Sequence, residues 1–310
     1  MTIQIRSFHW EQDFELVRNF LIETFNQTRT LVNWLPHRFE NRKYGPCGTE
    51  YLDEEDELVK IWEEVDDTTR FSKIVAVTVL EGGNRYVINI HPEYKFIEKD
   101  ILNWIEEQVK EDGINSAPKG IVTYALGCDN VRIELLSRSG YKKIEVECYS
   151  RIRPLDLSIP NYQLPEGYTI RHVDIKADFS KYRAVQGAVF RHCGNMSEKQ
   201  AVFYSTASFY VAELDLVVVA PTGEFAAFST IRLDPVSKFV EFEPVGTHPD
   251  HRKKGLAKAL IAEGLLRLKN YNPTLISIPG AANNPGANKL YESMGFTEKE
   301  ELQVWKKELK

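Results

Sequence analysis

Val245-Gly246-Thr247-His248-Pro249-Asp250-His251-Arg252-Lys253-Lys254-Gly255-Leu256-Ala257 decides the fold of this chain. An extended segment, Lys238 to Val245, runs into a basic turn that contains glycine. Beyond the turn Leu256, Leu260, Ile261, Leu265 and Leu268 recur at helical spacing. A helix that starts this way directs free N–H groups and its positive dipole end at an anion. Gly255 and the small Ala257 let the backbone come close to that anion. Arg252, Lys253, Lys254 and Lys258 add positive charge, in a chain whose net charge is −6. A polyphosphate suits the turn.

The spacing Arg252-x-x-Gly255-x-Ala257, after a strand and before a helix, resembles the acyl-CoA pyrophosphate loop of GNAT-type N-acetyltransferases. A second stretch, Asn284-Pro285-Gly286-Ala287-Asn288-Lys289-Leu290-Tyr291-Glu292-Ser293-Met294-Gly295-Phe296, resembles that family's downstream signature, Asn-x-x-Ala-x-x-Leu-Tyr-x-x-x-Gly-Phe. The two stand in the family's order, with a helix and a strand between them.

At 310 residues the chain has the length of two domains. Its negative net charge gives no basic field, which argues against nucleic acid as a partner. Cys47, Cys128, Cys148 and Cys193 form neither a CxxC pair nor a disulfide framework. The start, Met1 to Arg6, is strand-like and lacks the apolar core of a signal peptide, and no apolar run is long enough to span a bilayer. A reduced, cytoplasmic protein without a membrane partner is the expectation. The histidines, among them the pair His192-Cys193, do not cluster at metal-ligand spacing, and no metal is expected.

The order of elements in the second half is foreshadowed in the first. Strands are expected at Ile3–Phe8, Val59–Glu64, Lys73–Leu80 and Arg85–Ile90, with a Gly82-Gly83-Asn84 turn between the last two. A helix from about Ile97 to Val109, a strand at Gly120–Ala125, a second helix and a strand at Tyr141–Ile152 follow. The second half repeats this with a meander (Leu216–Pro221, Phe225–Leu233, Val240–Val245), the phosphate loop and its helix, a strand at Thr274–Ile278, the helix Pro285–Met294, and strands near Phe296 and at Gln303–Lys307. Landmarks repeat too. His91-Pro92 matches His248-Pro249, and Ser139-Gly140-Tyr141 matches Met294-Gly295-Phe296; the Pro-to-Gly spacing is 48 residues in one and 46 in the other. Pro154, Pro160 and Pro165 mark the join.

The fold expected is α/β (α+β), with two tandem GNAT-like domains, each a mixed, mostly antiparallel sheet flanked by helices. Residues 1–153 form a degenerate copy, 154–165 a linker, and 166–310 the catalytic copy. In the first copy Lys95 stands at the place of Arg252, Glu98 at that of Gly255, Asp100 at that of Ala257, and Leu136 at that of Tyr291. A carboxylate about 5 Å from a phosphate charge costs roughly 3 kcal/mol at an effective dielectric of 20. The first copy is therefore not expected to bind CoA.

In the second copy the resemblance implies acetyl-CoA as co-substrate, held by Val245, Gly246, Thr247, Arg252, Lys253, Lys254, Gly255, Leu256, Ala257, Asn284 and Ala287. It implies Tyr291 as the acid that protonates the leaving thiolate. Glu241 and Glu243 lie two apart on the strand before the loop, on one face unless a bulge intervenes, and either could be the base, directly or through water. Solvated charge on an edge strand is the plainer reading of that pair, and helix capping the plainer one of Asn284. The acceptor expected is a small-molecule amine, contacted from Arg29–Tyr44 and Ala184–Ser208. An acyl-CoA-binding regulator and a protein-modifying acetyltransferase are the alternatives, and the sequence is compatible with an oligomer.

Overall fold

A computed structural model describes residues 2–31, 34–45, 55–66, 68, 72–81, 84–111, 120–190 and 196–309; Gly82, Gly83, His192 and Cys193 lie outside them. The chain divides into two compact units. One comprises Met1–Phe39, Tyr51–Cys148 and Glu300–Lys310, the other Glu40–Glu50 and Tyr149–Lys299.

The elements are, in chain order, β1 (Thr2–His9), α1 (Trp10–Thr28), α2 (Pro36–Tyr44), β2 (Glu55–Val65), β3 (Ser72–Leu80), β4 (Arg85–Ile90), α3 (Glu98–Glu111), β5 (Ile121–Leu126), α4 (Asn130–Arg138) and β6 (Lys142–Arg153). There follow β7 (Thr169–His172), α5 (Ile175–Val189), α6 (Glu198–Tyr204), β8 (Asp215–Val219), β9 (Phe225–Leu233), β10 (Phe239–Thr247), α7 (Leu256–Leu268), β11 (Leu275–Ala281), α8 (Pro285–Ser293) and β12 (Glu298–Lys307).

In the first unit β1 to β4 run antiparallel to their neighbours, β4 and β5 are parallel, and β12 closes antiparallel on β5. The spacing of Ile101, Leu102 and Ile105 puts them on one face of α3, where they are buried with Val75, Leu136 and Tyr141. In the second unit β7 to β10 are antiparallel and β10 pairs in parallel with β11. Leu260, Ile261, Leu265 and Leu268 of α7 share a core with Ile231, Phe242, Ile276 and Phe296. Tyr182 and Val185 of α5 pack with Val217, Phe225 and Phe228 in a second cluster. Burying each large side chain contributes about 1.5–3 kcal/mol, so these faces hold the sheets and helices together.

Matching hydrogen bonds appear in the two units. Arg6 grips Asp13 through two nitrogens while Asp13 also accepts from the His9 N–H; Arg171, Asp178 and the Asp174 N–H repeat this one unit later. His91 Nδ1 accepts from the Glu93 N–H and His248 Nδ1 from the Asp250 N–H, each at 3.3 Å.

The units do not coincide with the halves marked by the prolines. Leu302 to Lys307 pair with β5, so the last strand clusters with the first unit, whereas Tyr149 to Arg153 of β6 belong to the second. Pairing is non-local and local pattern is blind to it. Phe296 is no strand residue; it is a buried anchor just before β12. Arg153 hydrogen-bonds the carbonyls of Met294, Leu157 and Ser158, and Arg151 the side chains of Asn288 and Glu292. A fragment of residues 166–310 lacks both arginines and carries β12 without β5. It is expected to be insoluble or to unfold without cooperativity; a sharp thermal transition from that fragment would show these strands to be dispensable.

Candidate functional site

The site is built where β10 and β11 stop pairing. Their parallel pairs run from Phe239–Leu275 to Glu241–Ser277, although both strands continue, β10 to Thr247 and β11 to Ala281. On the other side the register with β9 shifts between Phe242 and Val245, and the Glu243–Pro244 peptide is cis. A bulge therefore separates Glu241 from Glu243, and strict alternation does not relate the two.

The environments of the two carboxylates differ accordingly. Glu241 is only 2% exposed and lies opposite Arg232, with Oε2 3.8 Å from Nη1. Arg232 donates to the Tyr204 hydroxyl at 3.2 Å and sits over the Phe209 ring. For Glu241 this buried cluster rules out solvated edge-strand charge, the alternative to a base, since β10 has a strand on each side. Glu243 is half-buried; burial chiefly, and the charge of Glu243 in addition, raise the pKa of Tyr204 and Tyr291.

Tyr291 is buried on α8. Its ring lies against β11 at Gly280, where a Cβ would come within 3.1 Å of ring carbon Cε2 and of Asn288 Oδ1. Glycine is what lets the helix approach so closely. Burial, and then the charge of Glu243, push the Tyr291 phenol up to about 12, with Arg151 opposing. The hydroxyl thus remains protonated throughout the physiological range. Asn284 caps α8, its Oδ1 accepting from the Ala287 N–H at 3.1 Å.

The basic turn ends at Gly255, whose φ of 79° is left-handed. Gly255 is the N-cap of α7 and offers no side chain to its first-turn N–H groups; a Cβ there would meet nothing within 4 Å. Arg252, Lys253 and Lys254 are exposed beside it. Arg252 is tied to the Thr247 carbonyl at 3.3 Å, and Lys254 donates to the Tyr168 hydroxyl, which also bonds His251. Leu256 is buried and Ala257 half-buried, while Val245 and Thr247 are half-buried at the end of β10, with Gly246 buried between them. A pyrophosphate fits this arrangement of uncapped N–H groups, open space and fixed cations.

The corresponding place in the first unit is built differently. Glu98 is buried and ion-paired with Arg132, whose Nε also donates to the Tyr124 carbonyl. Asp129 caps α4 there, as Asn284 caps α8. Leu136 is fully buried. The Glu98 carboxylate faces a counter-charge inside the unit, a pairing that the sequence comparison does not reveal.

Sequence reasoning also passes over Arg232, Tyr204, Arg151 and Gly280. Arg232 had a signal, being the one charged residue in the strand Phe225–Leu233. Among the described residues no helix is long and apolar enough to cross a membrane, and no three His, Cys, Asp or Glu side chains are grouped to hold a metal ion.

A family model described as an acetyltransferase (GNAT) domain matches residues 205–298. The chain is 23% identical to a mycothiol acetyltransferase of Arthrobacter sp. (strain FB24) over 230 residues, 72% of this chain and 70% of that protein. It is 31% identical to a mycothiol acetyltransferase of Streptomyces griseus over 153 residues, and there it spans about half the relative's length, 47%. Two solved structures share the fold along nearly the whole chain. A tandem GNAT protein from the clavulanic acid biosynthesis pathway has a TM-score of 0.68 at 12% identity, covering 99% of this chain and 98% of its own. A GCN5-related N-acetyltransferase from Sphaerobacter thermophilus has a TM-score of 0.63 at 16% identity, covering 99% and 95%.

Proposed function

We propose that the chain is a GNAT acyltransferase in tandem arrangement, a reading supported by the GNAT domain matched over residues 205–298 and by the tandem fold it shares, and that its second unit transfers the acetyl group of acetyl-CoA to the amine of a small molecule by direct attack. The observation that carries this reading is the uncapped start of α7 at Gly255, next to the point where β10 and β11 part and Tyr291 is buried. The relatives named mycothiol acetyltransferases support a small-molecule acceptor. Acetyl-CoA would supply the activated acyl group and the thiolate leaving group.

The chain's own residues divide the remaining work. Backbone N–H groups of the turn, with Arg252, Lys253 and Lys254, hold the pyrophosphate. The end of β10, Val245 to Thr247, lies along the open edge where a thioester carbonyl could accept a backbone N–H. Tyr291 is the proton donor to the departing sulfur. Glu243 is the base that receives the amine proton, directly or through a water. Glu241 is the counter-ion of Arg232, and Asn284 and Ala287 shape the start of α8.

The two glutamates are separable by experiment. Glu243→Gln is expected to lower kcat about 10²-fold, with loss of the acid limb of the rate profile and little change in thermal stability. Glu241→Gln leaves Arg232 buried without its partner. It is expected to lower stability by about 3 kcal/mol while kcat per folded molecule and the acid limb persist. The reverse pattern would exchange the two assignments.

The function itself is tested by following free CoA release from acetyl-CoA over a panel of small amines, with titration calorimetry alongside. One acetyl-CoA per chain and amine-dependent CoA release are expected. Binding without turnover of any amine or peptide would leave an acyl-CoA-binding regulator as the reading, and turnover confined to peptides a protein acetyltransferase.

A further inference from the structure

We propose that Tyr168, His251 and Glu224 are positioning residues for Lys254, which they hold in place as a phosphate-binding cation of the turn. This role rests on the acetyl-transfer reading, in which the turn meets the cofactor's pyrophosphate. The Lys254 ammonium donates to the Tyr168 hydroxyl at 2.9 Å and lies 5.5 Å from the centre of that ring. The same hydroxyl is 2.9 Å from His251 Nδ1, and His251 Nε2 is 3.0 Å from Glu224 Oε1.

The direction of each hydrogen bond follows from the two ends of the chain of contacts. An ammonium only donates, and an ionised carboxylate only accepts. Hydrogen bonds from Thr222 and then His251 hold the Glu224 carboxyl below its ordinary range, so it is ionised at neutral pH. Nε2 therefore carries the histidine hydrogen, Nδ1 accepts, and the Tyr168 O–H donates to Nδ1. The phenol oxygen is thereby turned to accept from Lys254. A carboxylate placed directly on Lys254 would fix the side chain but cancel its charge. Here a phenol and an imidazole stand between the two, and among the described residues Lys254 forms no ion pair. The exposed ammonium is ordered before any ligand arrives, and it keeps its charge and its remaining N–H donors for a phosphate.

The first unit supplies an internal control. Matching Arg6 with Arg171 puts Ile3 at the place of Tyr168, and matching His91-Pro92 with His248-Pro249 puts Tyr94 at that of His251 and Ile97 at that of Lys254. Ile97 is buried, and the Tyr94 hydroxyl donates instead to Glu64 at 2.6 Å. The copy without the glycine of the turn thus lacks the cation and these two supports together.

CoA titrated calorimetrically into the full chain and its variants tests this. Lys254→Met should weaken CoA about tenfold. Tyr168→Phe keeps the ring and removes the hydroxyl. It should weaken CoA about three- to tenfold with little change in Tm, and the loss should appear in KM for acetyl-CoA and not in kcat. Because Tyr168 acts through Lys254, adding Tyr168→Phe to Lys254→Met should cause no further loss, whereas a merely structural residue would lose as much in either background. Glu224→Gln and Glu224→Leu both remove the charge, but only the glutamine can still accept from Nε2; the leucine variant should bind CoA about twofold or more weaker than the glutamine variant. Failure of the wild-type chain to bind CoA would overturn the acetyl-transfer reading and this role with it. Where the wild type binds CoA, unaltered affinity in Tyr168→Phe, a full further loss in the Lys254→Met background, or equal affinities of the two Glu224 variants would overturn this role alone.

Discussion

Gly255→Glu is expected to lower the affinity for CoA on the order of 10³-fold. Two terms add. A carboxylate about 5 Å from a phosphate charge costs roughly 3 kcal/mol at an effective dielectric of 20. A side chain held at the left-handed φ of 79° costs a further 1–2 kcal/mol, approximately, unless the turn rearranges, and rearrangement would spoil the N–H array. Nothing in the protein lies within 4 Å of the added Cβ, so the loss comes from the ligand and the backbone and not from a clash with neighbouring side chains. Gly255→Ala separates the terms, since it carries the strain without the charge; it should weaken CoA by about five- to thirtyfold. Counting back from Gly295, Ala287 stands where the first unit has Arg132. Adding Ala287→Arg to Gly255→Glu should therefore ease any loss of stability without restoring CoA binding. Isothermal titration of the three variants settles the matter: unaltered CoA affinity in Gly255→Glu would remove the turn from the cofactor site.

Much of this construction is legible in the sequence, for reasons that lie in particular residues. The turn at Arg252–Ala257 and the stretch Asn284–Phe296 are local, and each couples a fixed spacing to a helix start. The tandem arrangement could be read from the two His-Pro pairs and their similar distance to Gly140 and Gly295. The Arg6–Asp13 and Arg171–Asp178 pairs, each seven residues apart, carry the same message at the other end of each copy and went unread.

What could not be read depends on pairing and burial. That β12 joins β5 is a matter of register between segments far apart in sequence. The bulge after Phe242 separates two glutamates that simple alternation would place together. The roles proposed for Glu241 and Glu243 diverge because Arg232 on β9 meets the first of them. Glu98 looked like a charge aimed at a phosphate because its partner, Arg132, lies on another helix.

Tyr291→Phe is expected to lower kcat about 10²–10³-fold while leaving CoA affinity and fold almost unchanged. The ring, which packs against Gly280, is retained and only the hydroxyl is lost. The size of the effect follows from the phenol's pKa. At about 12 it lies well above that of an ordinary thiol, near 8.5, so complete proton transfer to the departing thiolate is uphill. Tyr291 then acts chiefly by donating a hydrogen bond to the sulfur as its charge develops, and removal of such a donor costs about 10²–10³ in kcat. The pH dependence has a definite sign. A raised pKa extends the range in which the phenol is neutral, so its contribution is full below about pH 10 and is lost only as pH rises through about 12. The wild-type rate should show no alkaline limb from Tyr291 between pH 8 and 10, where an unperturbed phenol would begin to ionise. Arg151→Met removes the one charge that lowers this pKa and should shift any alkaline limb further upward. The check is a single-turnover rate profile from pH 6 to 10.5 for wild type and Tyr291→Phe. A wild-type rate in the variant under chemistry-limited conditions would make Tyr291 a packing residue, and an alkaline limb near pH 9 that vanishes in Tyr291→Phe would show that its phenol is far more acidic than its burial implies.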